Sequence, residues 1–276
     1  MPADYHIHTA YCGHARGSID QYIESAIAQG LREIGFSDHL GRYYLTSSQR
    51  RRHRDWGMDA KKLEHYIGDL LEAKESYKGR ITISIGLEVD YVEGCEALLE
   101  PILGRYSFDF ILCSVHCLPR FSWNHLADYA RYADTSVIYT EYFRVVRSAI
   151  GSGLFHILAH PDLIWRTIGW PACETSLPFH EIAEMTAAAK AANHVIEINT
   201  GGFRWSQENS FGYGDPFAVL LDQCGTLGIP VTLGSDAHKP EDVGRLFPEL
   251  RSALRRRSIT GVACFTAGRP RIEPLS

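Results

Sequence analysis

With 276 residues, 45% of them hydrophobic and 22% charged, the chain has material for one large α/β barrel or two ordinary domains, and too little polarity for extensive disorder. A net charge of −5 excludes the broad basic surface that nucleic-acid binding calls for. No apolar run reaches the ~18 residues needed to span a bilayer, and seven cysteines, odd in number and scattered, fit reduced thiols of the cytoplasm rather than a disulfide framework.

The first element is a strand over residues 3–7. Its Tyr5-His6-Ile7-His8 run places two imidazoles on one side, because residues i and i+2 of a strand share a face. This strand leaves no room upstream of His6 for a cleavable signal peptide. A helix follows, opened by a Ser18/Gln21 capping box, striped by Ile19, Tyr22, Ile23, Ala26 and Ile27, and closed at Gly30. A strand over 33–37 runs into Asp38 and His39, and then an irregular stretch, 40–57, carries the basic run Arg50, Arg51, Arg52 and Arg54. That run reads as a solvated face, with an anion-binding lid as the other reading.

A helix over 58–78 leads to the apolar strand 81–88, which ends on Glu88. A carboxylate so placed is costly unless paired or bound to metal. Helix 95–103 and strand 109–114 come next, with His116 just beyond the strand. Cys113 and Cys117 flank that histidine, but no second cysteine pair completes a structural zinc site. An irregular stretch over 117–134, a helix over 135–151 and a strand over 155–159 bring the chain to His160. The rest comprises an irregular stretch 165–177, helix 179–193, strand 195–199, irregular 201–214, helix 215–227, strand 230–234 ending before Asp236 and His238, helix 249–257 and a last strand 261–265.

This alternation predicts an α/β fold with a largely parallel sheet, as one domain over 1–276, since no linker, repeat or low-complexity segment divides it. His6, His8, Asp38, His39, Glu88, His116, His160, Asp236 and His238 all sit at or just past strand ends. A barrel gathers such positions on one face, where the loops after the strands build active sites. His53, His65, His125 and His180 read as loop or helix-surface residues. His156 and His194 stand off the strand ends, where they read as bland or as groups that hold a ligating imidazole in one tautomer.

Together the runs His6-Ile7-His8-Thr9-Ala10-Tyr11-Cys12-Gly13-His14, Phe36-Ser37-Asp38-His39, Gly86-Leu87-Glu88, Ser114-Val115-His116, Ala159-His160-Pro161-Asp162 and Gly234-Ser235-Asp236-Ala237-His238 resemble the polymerase and histidinol phosphatase (PHP) superfamily, in the family's order. The resemblance implies a distorted (β/α)7 TIM-like barrel holding three divalent ions. It assigns His6, His8, Glu88 and Asp236 to the first, Glu88, His116 and His160 to the second, and His14, His39 and His238 to the third. Imidazole and carboxylate ligation without thiolate suits Zn, Mn or Fe. Within the superfamily the stand-alone histidinol phosphatases of histidine biosynthesis are most alike, through Cys12-Gly13-His14-Ala15-Arg16-Gly17, His160-Pro161-Asp162-Leu163 and Glu197-Ile198-Asn199-Thr200-Gly201-Gly202-Phe203-Arg204. By that likeness Arg166 and Arg204 contact the substrate phosphate. The stretch Trp205 to Pro216 departs from the group by lacking a Tyr-Pro-Ser ending, and the loop after His39 is rich in Arg and Tyr.

The implied reaction is hydrolysis of a small phosphomonoester, L-histidinol phosphate first among candidates, by water that the ions activate, with guanidinium forks matching the phosphate. Asp38 or an ordered water is the candidate proton donor to the leaving group. A nucleotide or sugar phosphate is the alternative substrate. An oligonucleotide exonuclease, a degenerate non-catalytic module and an amidohydrolase-like enzyme are rivals; the charge balance, the filled ligand positions and the lack of a strand-end lysine other than Lys239 respectively argue against them.

Overall fold

The computed structural model describes residues 3–52, 55–118, 126, 134–170, 177–211 and 214–275. Seven parallel strands form the barrel: β1 Ala3–Ile7, β2 Glu33–Phe36, β4 Thr82–Asp90, β5 Phe110–Ser114, β6 Ile157–Leu158, β7 Val195–Asn199 and β8 Val231–Gly234. They pair in that order, and β1 meets β8 through an Ile7–Ala237 bridge that closes the ring. The two-residue β3, His39–Leu40, continues the β2 register on β4, with His39 opposite Glu88. Between β2 and β3 the chain steps out at Ser37 and Asp38, whose carbonyls both accept from Glu88 N, at 3.1 and 3.2 Å.

The helices wrap the outer face. α1 Ile19–Ala28 starts at the predicted capping box, with Ser18 Oγ accepting from Gln21 N and Gln21 Oε1 from Ser18 N. It is followed by α2 Ser47–Arg52, α3 Ala60–Ser76, α4 Glu96–Leu103 and α5 Thr135–Ser152. Then come α6 Leu163–Ile168, α7 Leu177–Ala191, α8 Thr200–Glu208, α9 Pro216–Leu227 and α10 Phe247–Arg255. Ile34, Phe36, Ile83, Ile85, Leu87, Ile111 and Ile196 face outward into the large apolar cluster beneath them. No helix among the described residues is long and apolar enough to cross a membrane.

Three stretches read as irregular contain order. The 40–57 stretch holds the second residue of β3 and all of α2, 165–177 overlaps α6, and 201–214 holds most of α8. Sequence pattern missed α8 because Gly201 and Gly202 are poor helix formers. Tertiary packing overrides that: a Cβ on Gly201 would lie 2.7 Å from Arg166 Nη1, and one on Gly202 would lie 2.5 Å from Asp162 Cγ. Most of 117–134, with His125, lies outside the described residues, as do His53 and Arg54.

The last predicted strand needs a correction. Residues Gly261–Thr266 (β9) are not a barrel stave but pair antiparallel with β10, Arg269–Pro274. The hairpin closes the N-terminal end of the barrel, where Ala263, Cys264 and Phe265 pack on Tyr5, Phe110, Leu112, Ile157 and Val195. A short continuous apolar run such as Val262-Ala263-Cys264-Phe265 reads the same in either setting; only its contacts distinguish them.

The barrel interior is layered. Tyr5 and Phe110 meet edge-to-face, with centroids 4.8 Å apart. Their rings fill the space over Gly35 and Gly86, where an added Cβ would sit 2.5–2.9 Å from ring atoms. Tyr5 donates to the buried Glu33, Ser84 Oγ donates to Glu33 at 2.7 Å, and Arg271 of the hairpin pairs with its other oxygen. In β1 the pairing with β2 slips between Asp4 and Ile7, so two residues of β1 oppose one of β2. This bulge lets Tyr5 fill the floor and His6, its neighbour, point up to the opposite end.

Candidate active site

The mouth at the C-terminal ends of the strands gathers the predicted residues. His6 and His8 come from β1, Glu88 from β4, His116 from just beyond β5, His160 from just beyond β6, and Asp236 and His238 from just beyond β8. His14 follows a one-turn 3-10 helix, Ala10–Cys12, that Thr9 caps by accepting from Tyr11 N, and His39 is the first residue of β3.

Glu88 stands at the centre, 1% exposed, with its two oxygens turned to different partners. Oε2 lies 3.2 Å from His6 Nε2, 3.4 Å from His8 Nε2 and 2.7 Å from His39 Nδ1. Oε1 lies 2.7 Å from His160 Nε2, 3.6 Å from His116 Nε2, and accepts from Ser114 Oγ. Asp236 Oδ1 closes the first group, 3.6 Å from His6 Nε2 and 3.3 Å from His8 Nε2. On the outer side His14 Nε2 and His238 Nε2 face each other at 2.9 Å, and the His8 ring stacks between those of His39 and His238 at 4.3 and 4.2 Å.

The electrostatics follow from this packing. Burial alone would raise the Glu88 carboxyl, but His39, His6 and His160 hold it well below the usual carboxylate range. Asp236 is held low against burial in the same way by His6, His8 and His238. Burial would also lower His6 and His116, yet His6 is raised well above the ordinary imidazole value by Glu197 and Glu88, and His116 to about 9 by Asp90 and Glu88. His8 goes well below it, through burial and the neighbouring His238 and His39.

Among the described residues, four buried nitrogens of this cluster have no hydrogen-bond partner, His6 Nε2, both nitrogens of His8 and His160 Nδ1, and Glu88 Oε2 makes no aligned hydrogen bond despite its 2.7 Å approach to His39 Nδ1. Buried polar groups are almost always satisfied, and leaving several orphaned side by side is expensive. Divalent cations would satisfy Glu88 Oε2, His6 Nε2 and one nitrogen of His8, and the donor set of imidazoles and carboxylates fits such ions. Groups such as His6, His8 and Glu88, or His8, His39 and His238, offer atoms all within 4.8 Å of one another.

Several positioning residues escaped the sequence reading. Glu197, from the interior of β7, receives His6 Nδ1 at 2.7 Å on one oxygen and His160 N at 2.5 Å on the other. Its signal was present, since a carboxylate inside Val195-Ile196-Glu197-Ile198 needs a partner as much as Glu88 does. Asp90, two residues after Glu88 on the same face, receives His116 Nδ1. Gly234 is the one residue type that fits beside them: a Cβ there would lie 1.7 Å from Glu197 Oε1 and 2.7 Å from His6 Cβ. Backbone strain gathers here as well, because His160 (φ 21°) and Asp236 (φ 54°) take positive φ without being glycine.

Asp38 is fully buried and already engaged. It accepts from Thr9 N at 2.9 Å, Cys12 N at 3.0 Å and Thr9 Oγ1 at 2.8 Å, fixing the turn between His8 and His14. Burial raises its carboxyl to about 7 against those bonds. His156 and His194 lie at the opposite end: His156 Nδ1 accepts from Ile111 N, and burial lowers His194 to about 4. His65 and His180 are exposed, and Arg50 and Arg51 lie on the solvated face of α2.

Two cavities flank the cluster. One, of about 270 Å³, is lined by Arg166, Arg204, Asn199, Ser235, Asp236 and a residue not singled out from sequence, Arg245. Arg166 is held by Asp162, whose Oδ2 lies 2.5 Å from its Nε, and Arg245 by Asp242 at 3.0 Å. The other, of about 250 Å³, is lined by His14, His39, His116, Asp55, Trp56 and Asp90.

Fold and site together define an α/β barrel whose strand ends converge seven histidines and two carboxylates into one donor cluster. A PHP domain family model matches residues 4–201, and a PHP-associated model matches 224–259. The chain belongs to the PHP domain family. It is 29% identical over 256 residues to a protein of Deinococcus radiodurans named a probable histidinol-phosphatase, covering 91% of this chain and 92% of that one. It is 27% identical over 260 residues to the histidinol-phosphatase of Bacillus subtilis, covering 87% and 95%. Among solved structures, the histidinol phosphate phosphatase of Lactococcus lactis, complexed with zinc, L-histidinol and phosphate, superposes with a TM-score of 0.81 over 98% of each chain at 19% identity. At that identity the match speaks for the fold.

Proposed function

We propose that this chain is a metal-dependent phosphatase that hydrolyses L-histidinol phosphate to L-histidinol and phosphate. The observation that carries the metal-dependent part is the orphaned, buried set of atoms around Glu88. Near full-length similarity to proteins named histidinol-phosphatases supports the substrate.

Three divalent ions are the cofactor of this reading. His6, His8, Glu88 and Asp236 would hold the first, Glu88, His116 and His160 the second, and His14, His39 and His238 the third. The opposite headings of the two Glu88 oxygens support its shared role. When bound, the ions supply Lewis acidity, which lowers the pKa of water toward neutrality and neutralises phosphoryl charge.

The chain's own groups do the rest. Glu197 and Asp90 fix the tautomer and ring angle of His6 and His116, leaving each Nε2 turned toward Glu88. Arg166 and Arg204 present guanidinium forks on one side of Asp236, where a phosphate dianion is matched in charge and shape. Arg166 is pre-set by Asp162, so less side-chain freedom is lost on binding. Asp38, with its oxygens taken by Thr9 and Cys12, acts by holding the His8–His14 turn rather than by handing a proton to the leaving alkoxide.

The test is turnover of small phosphate esters by the purified protein, with Zn and Mn added separately. A preference of a hundredfold or more for L-histidinol phosphate supports the substrate. A nucleotide or sugar phosphate turned over equally well, or no metal dependence, overturns it.

A further inference from the structure

The two cavities beside the donor cluster differ in charge. The Asp236 side is lined by three arginines, Arg166, Arg204 and Arg245, against two acids, Asp236 and Glu208. The His14 side is lined by two acids, Asp55 and Asp90, by Trp56 and by the imidazoles of His14, His39 and His116, with no arginine or lysine. A phosphomonoester spanning the cluster would meet guanidinium groups only at the Asp236 end, while the His14 end offers acids and an aromatic with no arginine or lysine.

The Asp55–Trp56 segment is locked in place. Trp56 Nε1 donates to Asp90 Oδ2 at 2.7 Å, and Asp90 also receives His116. The Asp55 carbonyl lies 3.0 Å from His14 Nδ1. Immediately after, Gly57 N donates to Cys12 O at 3.0 Å and Met58 N to His39 O at 2.8 Å. Gly57 has φ +96°, and a Cβ there would lie 2.5 Å from His39 O, so the loop returns against the cluster only with glycine at this point. Asp90 is engaged by Trp56 and His116, which leaves Asp55 as the carboxylate of this wall whose side chain makes no hydrogen bond or ion pair among the described residues. The residue is exposed and lines the cavity.

We infer that Asp55, with the Trp56 ring beside it, is the specificity-determining subsite for a positively charged leaving group, taking the ammonium or imidazolium of the alcohol while the phosphate lies toward the arginines. A cation near a carboxylate and over an indole gains from both the charge and the ring quadrupole. The inference rests on the phosphatase reading above and deepens it by assigning polarity to the bound substrate. Trp56 is unsuited to a clean test, since its loss would disturb Asp90 and through it His116.

The test compares wild type and Asp55→Asn on two esters: L-histidinol phosphate, whose alcohol is cationic, and phenyl phosphate, whose alcohol is not. The reading is the ratio of the two kcat/KM values, which cancels any shared loss from a disturbed His14. The ratio is expected to fall at least fivefold in Asp55→Asn, mostly through KM for histidinol phosphate, and to be largely restored in Asp55→Glu. A ratio that falls by less than fivefold, in an enzyme that turns over histidinol phosphate, overturns the inference and leaves the phosphatase reading standing. A wild type that hydrolyses phenyl phosphate but not histidinol phosphate overturns both.

Discussion

The two ends of the barrel are made from the same strands and treat buried charge in opposite ways. At the floor, the Glu33 carboxylate is closed off by Tyr5, Ser84 and Arg271, and the β9–β10 hairpin packs across it. At the mouth, Glu88 is as deeply buried, yet among the described residues one of its oxygens makes no aligned hydrogen bond and several imidazole nitrogens around it have no hydrogen-bond partner. A buried carboxylate can thus be finished within the protein or left to be finished by a cation. The β1 bulge serves both ends at once, sending Tyr5 down and His6 up from adjacent positions.

Four outcomes would break or sharpen this contrast. The largest effect belongs to Glu88→Gln, which weakens every proposed ion site it touches; kcat/KM should fall about 10³-fold, equivalent to several kcal/mol of lost charge stabilisation, together with bound metal. Retained metal and activity would place the chemistry elsewhere. Next comes Glu197→Gln, which leaves the donor set complete but frees His6 to rotate. Metal affinity or activity should drop roughly 10–100-fold with little change in melting temperature, and a purely thermal effect would reduce Glu197 to a structural role.

At the floor, Arg271→Ala should do the reverse. Removing one partner of buried Glu33 should cost about 1–3 kcal/mol of stability, read from the urea midpoint, while metal content and kcat stay as in the wild type. Loss of metal in this variant would erase the distinction between the ends. The smallest effect concerns His194, buried and lowered to about 4 from 6.5. Its unfolded form takes up a proton first, so the stability it contributes is present above pH ~6.5 and is lost as pH falls toward 4, at up to about 1.4 kcal/mol per unit. Denaturation of metal-free protein across that range should show a shallower decline for His194→Gln; identical slopes would contradict the assignment.

The barrel and its mouth were legible because an apolar strand run that ends in His, Asp or Glu leaves a polar group at the edge of the core, where it needs a partner or an ion. Glu88 after Ile81-Thr82-Ile83-Ser84-Ile85-Gly86-Leu87 is the plainest instance, and all nine predicted donors meet. What stayed hidden depends on contacts distant in sequence. The β9 run is as continuously apolar as a stave, and its hairpin partner β10 is mostly exposed. Helix α8 forms over two glycines because Asp162 and Arg166 occupy the space a Cβ would need. Arg245 reaches the arginine-lined cavity from the segment after His238, where nothing in its surroundings in sequence marks it.

Anomalous X-ray diffraction from crystals grown with zinc or manganese tests the central claim most directly. Three peaks are expected at the mouth: one bounded by His6, His8, Glu88 and Asp236, one by Glu88, His116 and His160, and one by His14, His39 and His238. A map with no peak among these side chains, in protein that still hydrolyses phosphate esters, would contradict it.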